Sequence, residues 1–337
     1  MIDQHQLTRI LDDFDLLLIW VNELCYRPSI NEFKKDRIKD FCMEYRLEKR
    51  LDCGLIVVFS PINIPKGKFG FSRFFEEEKR SVLFFNCENT WYVDCIEEMK
   101  EVIDSVLNRL KPSSVVFYGA SMGGYAAMRI GGLYPKYPTF LFGPELELYI
   151  PGSLSHKNAT IRQDNVNILA HTNLDLSNTV VLFGIYEPID LKQYQISLEL
   201  NFYATIAVKS PHAVHEELYY RNLVRPLANS TSCTEFIENL PSGFIDLEPL
   251  VEYSDIFYNL FFFSKKETQQ SDVRILKKIH HPSSYWVLLK LALRFKDFKL
   301  VLYVEEKLTQ YFIEFSKNFT MPPKFHKQIN NIKSQLK

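Results

Sequence analysis

The chain predicts an α/β fold, a mostly parallel sheet with helices on both faces, and three observations carry that prediction. Short runs of continuous apolar, β-branched or aromatic residues recur at 54–60, 81–86, 114–119, 139–143, 179–184 and 203–208. Each has the length of a strand buried on both faces, which needs no polar alternation. Helical periodicity lies between them, clearest over 96–110, where Ile96, Met99, Ile103, Val106 and Leu110 form one stripe with charges opposite. Glycine is concentrated, with five of the chain's 12 falling between Gly119 and Gly132, where a strand hands over to a helix.

Taken in order, residues 41–51 alternate apolar and polar and predict an antiparallel edge strand. The runs at 54–60 and 81–86 follow, joined by a long loop over 60–74. Helix 96–110 leads into the run at 114–119, and a second helix is predicted over 123–133. A third, over 191–200, separates the last two runs. Strand, helix, strand in this rhythm is what parallel pairing requires, because parallel neighbours need a crossover between them.

Beyond about residue 228 the character changes. The stretch 229–234, Asn-Ser-Thr-Ser-Cys-Thr, reads as a linker or long turn, dividing an α/β region (1–228) from a helical, basic region (229–337). From 261 to 337 there are 15 Lys+Arg and 6 Asp+Glu, a net of +9, whereas 1–260 carries −10. Helical patterns cover 257–263, 273–279, 284–298, 300–312 and 325–336. Trp286, Leu289, Leu293, Phe298, Leu302 and Leu308 predict a packed hairpin. One such unit cannot bury its own face, so it must dock on the α/β region or on a partner. Its basic face fits a protein partner or an anionic surface, and an ordinary solvated lysine face is the plainer alternative.

Composition sets further bounds. With 46% hydrophobic and 24% charged residues in 337, the chain is no disordered polyelectrolyte. Its net charge of −1 makes nucleic acid an unexpected partner. The best apolar run, 16–21, falls far short of the roughly 18 residues a membrane span needs, so no transmembrane segment is expected. The start carries acids where a secretory signal carries basic then apolar residues. The six cysteines show no CxxC spacing and read as reduced, mostly packed thiols. Together these predict a cytoplasmic protein, with the basic helices allowing a peripheral place at the inner membrane.

The sharpest motif is Gly119-Ala120-Ser121-Met122-Gly123, a G-x-S-x-G between a predicted strand and a predicted helix. A serine in a strained strand-to-helix turn crowds its neighbours, so the flanking positions must lack bulk. Small Gly124, Ala126 and Ala127 let the following helix press on the sheet. The helix N-terminus then aims its free N–H groups at an oxyanion formed on Ser121. A phosphate-binding turn would show GxGxxG or GxxxxGK[ST], and neither occurs. Ser121 is therefore the expected nucleophile.

Over roughly residues 40–225 the chain resembles the α/β-hydrolase superfamily, in which a nucleophile elbow is followed by an acid after a later strand and a histidine after the last. The resemblance implies an acid after the run at 179–184. Glu187 holds the family's spacing, in Gly184-Ile-Tyr-Glu187, while Asp190 matches its residue type. Asp190 is taken, with Glu187 the alternative, and the carboxylate left over is expected to cap the next helix. The histidine is expected to be His212, in the loop directly after the last strand, with His215 the alternative. Their i, i+3 spacing matches neither HExxH nor HxxEH, and no metal site is expected. The oxyanion hole is expected to combine the N–H of Met122 with that of Ile62 or Asn63, since Pro61 has none.

The closest resemblance within the superfamily is to bacterial proteins of surface-polysaccharide loci. It rests on the elbow Gly119–Tyr125, the junction Phe59-Ser60-Pro61, the end His212–Leu218 and the middle segment 142–156. It implies serine-dependent O-acetylation of a capsular or other glycan, with acetyl-CoA as donor substrate, no bound cofactor, and a sugar or polysaccharide as acceptor. Hydrolysis by an esterase, deacetylase or thioesterase is the alternative. A third reading is an idle hydrolase-fold partner in glycan assembly.

Overall fold

A computed structural model of the chain describes residues 43–50, 52–87, 91–157, 174–263 and 269–315, together with 327, 329–331 and 334. The apolar run at 16–21, Cys25, Cys42 and most of the pattern at 325–336 lie outside the described residues. Seven strands form one sheet: β1 (Met43–Glu48), β2 (Asp52–Phe59), β3 (Arg80–Cys87), β4 (Ser114–Ala120), β5 (Thr139–Phe142), β6 (Thr179–Gly184) and β7 (Ala204–Val208). Their order is β1-β3-β2-β4-β5-β6-β7, and all pairs are parallel except β1 with β3. This is the mostly parallel sheet that the sequence predicts, with the predicted antiparallel strand at its edge.

The helices are α1 (Ile96–Leu110), α2 (Met122–Gly131), α3 (Leu154–Lys157), α4 (Pro188–Ser197), α5 (Val214–Tyr220), α6 (Val224–Asn229), α7 (Cys233–Glu238), α8 (Ser254–Phe263), α9 (Gln269–Lys278), α10 (Pro282–Phe295) and α11 (Phe298–Phe315). Residues two apart on a strand share a face. Leu55, Val57 and Phe59 therefore enter one apolar cluster, with α1, α2 and α4, while Ile56 and Val58 enter a second, with α5, α6 and α7. Both faces are covered, which explains why the strand sequences are apolar throughout.

Two predicted helices begin earlier than expected. The one placed at 191–200 is α4, starting at Pro188, whose ring fixes φ for the first helical position and whose missing N–H has no intrahelical partner there anyway. The one placed at 123–133 is α2, starting at Met122, directly after the serine.

Residues past 229 stay with the sheet. Cys233, Phe236, Leu240 and Phe244 join the second cluster. Ile245 forms a bridge with Val208, flanked by Lys209 N donating to Phe244 O and Asp246 N donating to Ala207 O, each at 2.9 Å. Farther on, Phe257, Trp286, Leu289, Val301, Val304 and Leu308 are buried in the first cluster alongside Ile185, Tyr186 and Leu191. The expected hairpin is thus α10 and α11, docked on the α/β layers.

Its buried stripe differs from the prediction at α11. Phe298 and Leu302 are 40% and 49% exposed, and the inward positions are Leu300, Val301, Val304 and Leu308. Leu308 is inward as predicted, whereas Phe298 and Leu302 fall beside the stripe of Val301, Val304 and Leu308 on a helix that is apolar on more than one side. No helix among the described residues is long and apolar enough to cross a membrane.

Trp286 is fully buried where α10 meets the sheet-covering layer. Trp286→Ala is expected to cost about 3–5 kcal/mol of stability, the range for deleting a large core aromatic, read from urea unfolding.

Candidate active site

The site grows from one crossing of backbones. A Cβ added at Gly119 would stand 2.2 Å from Gly123 O, and one at Gly123 would stand 2.1 Å from Phe59 O and 2.7 Å from Ser60 O. β4, α2 and the chain leaving β2 are therefore in backbone contact, and no side chain fits at either position. Between these glycines Ser121 sits at φ 52°, ψ −120°, a conformation L-residues rarely adopt. Its N–H still donates to Phe142 O at 2.9 Å, on the neighbouring strand, so the strand's hydrogen bonding continues through the turn while the side chain is lifted clear.

The chain leaving β2 is pinned at Ser60, which is fully buried. Ser60 N donates to Phe85 O at 2.9 Å and Ser60 Oγ to the same oxygen at 2.7 Å. Gly70 N donates to Ser60 Oγ at 2.9 Å, and Tyr92 OH to Ser60 O at 3.1 Å. Ile62 follows two residues later, in a turn, half-buried against the first cluster. Asn63, the other donor weighed, is exposed at φ 66°. Met122 opens α2, where the first N–H groups have no intrahelical acceptor. Both predicted donors thus lie at the carboxyl end of the central strands, the end at which parallel sheets present their sites.

The loops after β6 and β7 bring the remaining residues together. His212 Nε2 lies 3.1 Å from Ser121 Oγ, and His212 Nδ1 lies 2.8 Å from Asp190 Oδ1. Asp190 is buried near the start of α4, and its Oδ2 has no hydrogen-bond partner among the described residues. Burial raises the Asp190 carboxyl, while the neighbouring imidazole pulls the other way. At His212 burial disfavours the cation, but the Asp190 carboxylate outweighs it, with Glu187 and Glu145 adding to the same sign. The result is a pKa pushed up to about 9.

The two alternatives go elsewhere. Glu187 stands at the N-cap of α4 with extended backbone, but its side chain makes no cap bond. The expected cap is therefore absent, and Glu187 Oε2 instead pairs with Lys290 Nζ at 3.1 Å. His215 turns away from Ser121 into an aromatic cage of Phe71, Phe74, Tyr118 and Phe142, with ring centroids 4.3–5.7 Å away. Its Nε2 has no partner among the described residues, and burial pulls its pKa down to about 3. The two histidines face different surroundings, and among the described residues no cluster is arranged to hold a metal ion.

Sequence reasoning missed three contributors. Glu145 is buried after β5 and accepts from Leu154 N at 2.8 Å and Ser155 N at 3.1 Å, strapping down the following loop. Burial raises its carboxyl against those bonds and against the His212 charge. Gln193, fully buried one turn after Asp190, accepts from Leu146 N at 2.9 Å and Glu147 N at 3.1 Å, tying that loop to α4. Nothing in the sequence singled it out. Nor did anything mark Lys290, because a lysine in an apolar helix reads as a solvated face. The basic loop after β2 contributes Arg73 to a surface hollow of about 470 Å³ shared with Phe74, Tyr219, Tyr220 and Arg225.

No protein-family model matches the chain, and no curated protein matches it by sequence. Solved structures are similar to it at low identity. A capsule O-acetyltransferase of Neisseria meningitidis serogroup A is 16% identical, covering 54% of this chain and 91% of its own, with a TM-score of 0.41. An α/β serine hydrolase without a lid from Xanthomonas campestris is 14% identical over 59% and 90%, with a TM-score of 0.38. A glycosylation-associated protein complex from Streptococcus agalactiae is 16% identical over 56% and 44%, with a TM-score of 0.39.

Two outcomes are expected. Gly123→Ala places a methyl against backbone that has no room to move, and is expected to abolish soluble folded protein or lower Tm by several degrees, read by thermal unfolding. His215 resists protonation when folded, whereas the unfolded chain takes the proton below about 6.5, so stability is lost as pH falls from there towards 3. His215→Phe is expected to raise Tm, with a gain that grows between pH 7 and pH 4.5.

Proposed function

We propose that the chain is a serine-dependent acyl-transfer enzyme acting through an acyl-enzyme. The observation that carries this reading is the continuous relay Ser121 Oγ to His212 Nε2 at 3.1 Å and His212 Nδ1 to Asp190 Oδ1 at 2.8 Å. Ser121 Oγ attacks the acyl carbonyl as neutral His212 takes its proton. Asp190 holds the ring in the tautomer that presents a bare Nε2, and its charge stabilises the imidazolium that forms. The oxyanion is received by the N–H groups of Met122 and Ile62. Collapse expels the leaving group, which takes the proton from His212. In the second half a hydroxyl gives its proton to His212 and attacks the ester on Ser121, and the serine oxygen leaves by taking that proton back from His212.

The donor proposed is acetyl-CoA, and the acceptor a glycan hydroxyl, as in O-acetylation of a capsular or other surface polysaccharide. The sequence motifs of the elbow, the Phe59-Ser60-Pro61 junction and the His212–Leu218 end support this choice. With water as acceptor the same relay makes an esterase or thioesterase. The basic helices beyond residue 260 fit an anionic surface or protein partner near the site of glycan assembly.

A burst assay with p-nitrophenyl acetate and acetyl-CoA tests the reading. Ser121→Ala and His212→Ala are expected to lose the burst and at least about 10³-fold in turnover, and Asp190→Asn a comparable amount. Faster turnover with an oligosaccharide than with water selects transfer over hydrolysis. Absence of any Ser121-dependent burst, and of Ser121 labelling by a fluorophosphonate, overturns the reading in favour of an idle hydrolase-fold partner. Because His212 must be neutral to act, kcat/KM is expected to rise with pH through one ionisation well above the ordinary imidazole value of about 6.5.

A further inference from the structure

The turn that carries Asp190 is gripped from outside by α10. Ser283, Trp286 and Lys290 stand at i, i+3 and i+7 on that helix, so one stripe faces the turn. Ser283 Oγ donates to Ile185 O at 2.9 Å. Trp286 is fully buried in the cluster that also takes Ile185 and Tyr186. Lys290 Nζ donates to Glu187 Oε2 at 3.1 Å. The ammonium also stands 5.2 Å from the Trp286 ring and 5.0 Å from the Phe261 ring, so two aromatic faces hold it in place. The Lys290 and Glu187 side chains are only 21% and 14% exposed, and a pair shielded in this way acts over a longer range than one in open water.

Glu187 lies three residues before Asp190, and its charge reaches His212, while Lys290 acts in the opposite sense on Asp190. The charged groups whose fields act on His212 are Asp190 and Glu187 from the acid turn and Glu145 from the loop after β5, with Lys290 of α10 paired to Glu187. An imidazole facing three carboxylates with no nearby cation would hold its proton too firmly to serve as a base.

We infer that α10 belongs to the reaction centre, with Lys290 as a positioning residue whose ammonium offsets the Glu187 charge and fixes the turn that presents Asp190 to His212. The catalytic consequence rests on the acyl-transfer reading, whereas the electrostatic link is a property of the fold and is measurable without turnover. On this inference a helix remote in sequence from the serine sets how readily His212 accepts the serine proton.

The test is the NMR titration of His212 in the full chain, labelled with ¹³C in its histidine rings and assigned with His212→Ala. Lys290→Met keeps the aliphatic contact with Trp286 and Phe261 and is expected to raise the His212 midpoint by roughly half a pH unit or more. Glu187→Gln is expected to lower it, Lys290→Arg to leave it near the wild-type value, and the double variant Lys290→Met/Glu187→Gln to titrate with Glu187→Gln. A common midpoint in all of these overturns the inference. Lost activity in Lys290→Met with an unmoved midpoint overturns it too, since a merely structural role gives that result. If Lys290→Met does not fold, Glu187→Gln decides alone, by falling or not. A moved midpoint in a protein without a Ser121-dependent burst removes the acyl-transfer reading and leaves the link standing. A burst with an unmoved midpoint does the reverse.

Discussion

The structure depends on three stretches of backbone meeting where no side chain can stand. At Gly119 and Gly123 the end of β4, the first turn of α2 and the carbonyls of Phe59 and Ser60 touch. That contact forces the serine between them into a conformation most residues avoid and brings the chain after β2 to the mouth of a helix. The strain at one residue is carried by hydrogen bonds on both sides, from Ser121 N to Phe142 O and around Ser60. Local strain of this kind persists only where its surroundings over-determine it.

Around that point the charges are graded rather than simply opposed. One carboxylate bonds His212 directly, a second is matched by Lys290, and a third is bound up by backbone N–H groups. Such an arrangement favours a cationic imidazole, which on the proposed acyl-transfer reading suits the transition state of proton removal from serine but also stabilises the resting cation. The lysine moderates the second effect without weakening the first bond. A few ångströms of helix placement therefore set the balance between a base that is too reluctant and one poorly oriented.

The architecture was legible in the sequence because strands buried on both faces leave continuous apolar runs, and the runs at 54–60, 114–119 and 179–184 are the cores of β2, β4 and β6. The serine was legible because glycines flank it where the chain has no room. Of Ser121, His212 and Asp190, put forward from motif order and residue type, the histidine stands within hydrogen-bond distance of both the others. Between Glu187 and Asp190 the sequence left little to choose, since Pro188 shifts the start of α4 and only coordinates reveal which carboxylate turns inward. Glu145, Gln193 and Lys290 escaped because their importance lies in partners 9, 46 or 103 residues away. Phe298 and Leu302 were misplaced because α11 carries apolar residues on more than one side, and hydropathy alone does not show which of them face inward.

The short bridge between Ile245 and Val208 has a consequence for how this molecule meets others. A sheet edge offers a row of unpaired backbone groups, the template on which a second copy or a misfolded chain adds itself. At β7 the returning segment uses part of that row, with Lys209 N donating to Phe244 O and Asp246 N donating to Ala207 O. His281 Nε2, 3.0 Å from Asp246 Oδ2, ties the same segment to α10. The cover is thus fastened by a side chain from the C-terminal helices and is not left to fray. At the carboxyl end of β7 strand addition is therefore hindered by the chain itself, and the tie to His281 helps hold that cover in place.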